Sequence, residues 1–132
     1  MKRISIILVL VTVSAAAVTA YAHHSFASTY DEGKKVTVEG KLVQFLWRNP
    51  HSFVHVMAPD DKGEMQRWAV EWGGAGQLGE QGVTRETLKP GDTVKVTGNP
   101  GRNPEDHRLR MITLVRPSDG FAWGQKKGEA FE

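Results

Sequence analysis

Cysteine is absent from all 132 residues. Its absence excludes disulfides, thiolate metal sites, a cysteine nucleophile and a lipoprotein's acylated cysteine, so any metal site must use nitrogen and oxygen donors. Long apolar runs are scarce as well. The most apolar stretch, residues 4–18, is shorter than the ~18 to 20 residues that span a bilayer. Charge of one sign is lacking too: 17 Lys and Arg face 15 Asp and Glu, and Lys2 and Arg3 account for the excess. From residue 23 onward the chain is formally neutral, which argues against nucleic acid or an anionic membrane as partner. Neither G-x-S-x-G nor H-E-x-x-H occurs, so no familiar catalytic grouping emerges, and whether the chain is an enzyme stays open with a lean towards no.

The N-terminus supplies the first positive signal. Lys2-Arg3, the apolar stretch and Ala20-Tyr21-Ala22 form the charged, apolar and small-x-small regions of a secretory signal peptide. The expected organisation is a signal peptide over residues 1–22, a single domain over 23–120 and a partly disordered C-terminal tail over 121–132, in a periplasmic or secreted protein. Cleavage after Ala22 would make His23 the first residue, with a free α-amine and no stable membrane insertion.

The remainder reads as strands. Val36, Val38 and Leu42 alternate with Lys35, Thr37, Glu39 and Lys41, the pattern of a half-buried strand, with a bend or bulge expected at Gly40. Residues 51–58, Met65–Trp72, Thr93–Gly98 and Arg108–Arg116 give four further strands, divided by turn chemistry at Pro59–Gly63 and Lys89–Asp92. A short helix is expected around Gly76–Gln81. This order predicts an all-β, small OB-like five-stranded barrel with one short helix between strands 3 and 4; a small open sandwich is the alternative. Gly74–Gly79 matches G-x-G-x-x-G but lacks a parallel βαβ unit around it, so it reads as a connector.

Histidine carries the chemistry. His51 and His55 lie four strand residues apart, about 13 Å at ~3.3 Å rise, too far to chelate one ion. At His23, a terminal amine with pKa near ~8 and an imidazole near ~6.5 could both offer lone pairs to a metal. Copper suits such nitrogen-rich donors better than zinc. The metal candidates are His23, His24, His51 and Glu71, although a strand glutamate paired with Arg67 or Lys95 is the commoner arrangement. Of the four tryptophans, Trp68 and Trp72 are expected in the core, with Trp47 and Trp123 open.

Assembled, these residues resemble a family of small secreted bacterial proteins, domain of unknown function 6152. The resemblance rests on A-H-H-S-F at 22–26, W-x-N-P-H at 47–51, W-x-x-E at 68–71 and L-K-P-G-D-x-V-x-V-x-G at 88–98. It implies an exported, mostly β protein and places His23, His24, Trp47, Asn49, His51, Trp68 and Glu71 on motif positions, but it supplies no activity. Three functional expectations follow. The first is an exported copper-binding protein. The second is a non-metal module that presents Trp47, Trp123 and the 99–107 loop to a small ligand or envelope protein. The third is a copper-dependent oxidase or oxygenase.

Overall fold

A computed structural model describes residues 26–126 and 129–131 of the chain. Six strands form one sheet in the order β3-β2-β1-β4-β5-β6: β1 (Val36–Leu46), β2 (Phe53–Pro59), β3 (Met65–Glu71), β4 (Thr93–Pro100), β5 (Arg108–Arg116) and β6 (Phe121–Trp123). A parallel pairing of Ala69–Glu71 with Arg108–Arg110 joins β3 to β5, closing β1–β5 into the expected five-stranded barrel. The short helix α1, Ala75–Glu80, lies between β3 and β4. Among the described residues no helix is long and apolar enough to cross a membrane.

Alternation decides which side chains enter the barrel. Val54, Val56 and Ala58 of β2 and Trp68 and Val70 of β3 point inward and are buried, together with Val94 and Val96 of β4. In β1 the period breaks after Leu42, where the register with β2 shifts between Leu42 and Gln44. The bulge therefore sits at Val43, not at Gly40. One extra residue swaps the inward parity, so Phe45 turns towards the core while Val43, 38% exposed, faces solvent. Gly40 serves a different purpose: a Cβ there would run into the Met57 carbonyl.

Two segments are more tightly built than composition suggests. The glycine-rich connector buries Leu78, Val83 and Leu88, and Gln81 Oε1 accepts a hydrogen bond from Trp123 Nε1 at 3.0 Å. Beyond Gly120, placed in the tail by sequence, Phe121–Trp123 form β6 against β5. Trp123 is only 1% exposed and meets Trp72 edge-on, with ring centroids 5.2 Å apart. It is a core residue and cannot be presented to a partner.

Candidate functional site

The 47–52 loop between β1 and β2 delivers His51. Ser52 is fully buried; its hydroxyl donates to the Arg48 carbonyl at 3.1 Å and accepts from the Arg48 amide at 3.2 Å, tying off the loop. Asn49 Oδ1 accepts from the Gly76 amide at 3.2 Å, and the Arg48 carbonyl accepts from the Ala75 amide at 3.0 Å. The W-x-N-P-H segment is thus pinned to the start of α1. Asn49 is part of the loop's anchorage, and Trp47 packs edge-on against Phe45 at 5.8 Å.

His51 lands beside Glu71, with Nδ1 3.8 Å from Oε1. Its ring stacks on Phe26 at 5.4 Å and 23°, and meets Phe131 edge-on at 6.2 Å. Glu71 is on the outward parity of β3 yet only 8% exposed. Its partners come from β5 and the N-terminal segment: Arg108 Nη2 lies 3.6 Å from Oε1, and the Tyr30 hydroxyl accepts from the same Arg108 nitrogen at 3.1 Å. Neither Arg67 nor Lys95 pairs with Glu71. Arg67 bonds to His55 and Gln44, while Lys95 stands opposite Glu39 across the β1–β4 ladder. Arg110 completes the cluster, its guanidinium 3.9 Å from the centroid of Phe26 and its Nη2 donating to the Phe131 carbonyl at 2.9 Å.

The cluster thus gathers residues from the segment before β1, the segment after β6, one loop and two strands. His23 and His24 lie outside the described residues. Among the described residues no group of three or more His, Asp or Glu side chains is placed to hold a metal, so His51 and Glu71 supply at most two donors. His55 is far from this pair in its bonding, on the outer sheet face with Arg67. Phe26, Tyr30, Arg108, Arg110 and Phe131 were not singled out as functional from sequence. Phe26 alone belonged to a quoted motif, and the others carry no local signal because long-range packing brings them in.

Electrostatics at the cluster shows most clearly on Tyr30. Burial first, and the Glu71 carboxylate second, push its pKa from 10.0 up to about 12, with Arg108 pulling the other way. The folded chain therefore holds this proton at a pH where the unfolded chain releases it. The resulting stability is complete below pH ~10 and is lost as pH rises through about 12, a loss of the order of 2 kcal/mol. Tyr30→Phe is expected to flatten that alkaline limb in urea unfolding measured from pH 8 to 12. An unchanged limb would contradict the assignment.

A second concavity lies on the barrel away from His51. Trp68, Val36, Val38, Pro59 and Pro104 contribute to a cavity of about 450 Å³ that His107 also lines. His107 adopts a left-handed backbone at φ 45°, its ring edge-on to Trp68 at 5.2 Å and its Nε2 3.9 Å from Asp60 Oδ2. That left-handed backbone caps the short 3-10 turn Pro104–Asp106, with the His107 amide donating to the Pro104 carbonyl.

Residues 10–110 match a family of unknown function (DUF6152). No curated protein and no solved structure matches the chain.

Proposed function

Because the chain belongs to the family of unknown function DUF6152, we propose its function from the site: an exported barrel that binds a metal ion, copper before zinc, through the processed N-terminus and His51. The observation that carries this reading is the Phe26 ring stacked on the His51 imidazole. Phe26 follows His24 by one intervening residue, so at no more than ~3.6 Å of chain per residue the connectivity alone would let the two candidate histidines reach towards His51. The donors fit copper. Cleavage after Ala22 would give His23 an amine and an imidazole, and His51 would add a third nitrogen. Glu71 suits a supporting part better than a ligand's, because its carboxylate already faces the Arg108 cation and stands on the Nδ1 side of His51. There it would orient the imidazole and leave Nε2 for the ion.

The test compares Cu(II) affinity and the electron paramagnetic resonance spectrum of three forms: a chain beginning at His23, the same chain with one residue added in front, and His51→Ala. Both changes are expected to weaken binding at least tenfold. Equal affinity with and without the added residue would remove the terminal amine from the reading. The cavity beside Trp68 favours a second reading, a small-ligand module built on residues 101–107 between β4 and β5, because Asn99 and Pro100, expected in that loop, pair with β5 as the end of β4. Ligand-dependent tryptophan fluorescence that survives EDTA would support this second reading, and loss of all such binding in the chelator would count against it.

A further inference from the structure

The outer face of the β1–β2–β3 meander carries a shallow groove whose lining includes Leu46, Phe53 and Ala69 together with Arg48, His55 and Arg108. The ladder sets this arrangement: Leu46 stands opposite Phe53, and His55 opposite Ala69. The guanidinium carbons of Arg48 and Arg108 lie 5.3 and 5.9 Å from the Phe53 centroid. One aromatic ring thus holds two cations in place through its quadrupole. A third guanidinium, Arg67, donates from Nε to His55 Nδ1 at 3.1 Å and from Nη2 to Gln44 Oε1 at 2.9 Å.

These cations are poorly matched by acids. Arg108 has Glu71, but among the described residues neither Arg48 nor Arg67 meets a carboxylate. Among the described residues the Arg48 side chain donates from Nε alone, to the His51 carbonyl at 3.2 Å, which leaves both terminal nitrogens for an incoming acceptor. The Nε of Arg108 is buried with no acceptor among the described residues. Asp106, the acid on the groove's lining, accepts a bond from the Asn103 amide at 3.2 Å. His55 registers the excess charge: burial first, then Arg67 and Arg48, depress its pKa below the ordinary histidine value. Its neutral Nδ1 is therefore free to accept from Arg67.

Guanidinium forks match the geometry of carboxylate and phosphate oxygens, and an apolar floor beside them selects an anion carried on an apolar body. We propose that this groove binds an organic oxyanion, a carboxylate or phosphate attached to an apolar ring, with Arg48 holding the oxygens from the lining, Arg67 adding a second guanidinium beside His55 at its edge, and Leu46, Phe53 and Ala69 meeting the ring. The site shares Arg108 with the His51 cluster but needs no metal there.

The experiment titrates the full chain with benzoate, phenyl phosphate and inorganic phosphate at low ionic strength in EDTA, following calorimetry and the His55 resonances. Benzoate, phenyl phosphate or both are expected to bind at least tenfold more tightly than inorganic phosphate, and which of the two wins identifies the headgroup. Arg48→Gln and Arg67→Gln are each expected to weaken binding about tenfold without shifting the melting temperature, since both side chains are exposed. A bound anion offsets the two guanidinium charges, so the His55 midpoint should move upward on saturation. The proposal is overturned if no probe binds, if inorganic phosphate binds as well as the tighter of the two aromatic probes, or if both glutamine variants bind like the parent chain. The chelator ensures that failure of the metal reading leaves this result untouched.

Discussion

Trp123→Ala is expected to destabilise the protein by about 3 to 5 kcal/mol, the usual cost of emptying a buried aromatic site. The indole is 1% exposed, abuts Trp72 and Phe131, and donates its N–H to Gln81. Its removal leaves a void between β6, the connector after α1 and Phe131, and also takes that donor from the Gln81 amide oxygen. A domain of this size has only ~5 to 15 kcal/mol in total, so the variant should be marginal at room temperature. Urea unfolding measures the loss directly. A change below about 1 kcal/mol would mean that β6 is an ornament on the barrel.

Gly40→Val is expected to be about as damaging, at roughly 3 kcal/mol or more. Gly40 sits mid-strand in β1, paired with Val94 on one side and next to the β2 pairing of Lys41 with Met57 on the other. A Cβ at this point overlaps the carbonyl oxygen and carbon of Met57. Both are backbone atoms of a neighbouring strand, so no side-chain rotation relieves the clash and the ladder itself must part. Gly79→Ala is the control. Nothing lies within 4 Å of a Cβ there, and alanine in a helix should leave stability unchanged or raise it by about 0.5 to 1 kcal/mol. Comparable losses in the two variants, read from thermal melts, would refute the steric account.

Much of the barrel was legible because its strands obey a period of two and its turns carry Pro, Gly and Asp. Val54, Val56, Val94 and Val96 point inward as that period requires. The broken alternation after Leu42 was legible too, but its cause was not. A bulge at Val43 and a bend at Gly40 produce the same apolar pattern, and only the β2 partner distinguishes them. β6 escaped notice because three residues are too few to show a period, and Trp123 is anchored by contacts far away in sequence. At the site, the W-x-N-P-H segment put His51 among the metal candidates, and the structure sets it against Glu71. Tyr30, Arg108 and Arg110 could not be found that way, since each joins through the β3–β5 pairing or the N-terminal segment. Glu71 was misjudged in its partners for the same reason: Arg67 is near in sequence, whereas Arg108 is near only once the barrel has closed.

That closure has a consequence for energetics as a whole. The seam between β3 and β5 consists of three residue pairs, Ala69–Arg108 to Glu71–Arg110, joining stretches roughly 40 residues apart whose ends must surrender loop entropy to meet. Antiparallel hairpins such as β1–β2–β3 need no such long closure, so the seam is the contact that depends most on everything else being formed. Glu71 meets Arg108 only across it. Any ligand that binds the assembled cluster and not the open chain will therefore act as a reversible rivet on the seam, raising the stability of the whole cylinder with its concentration by mass action.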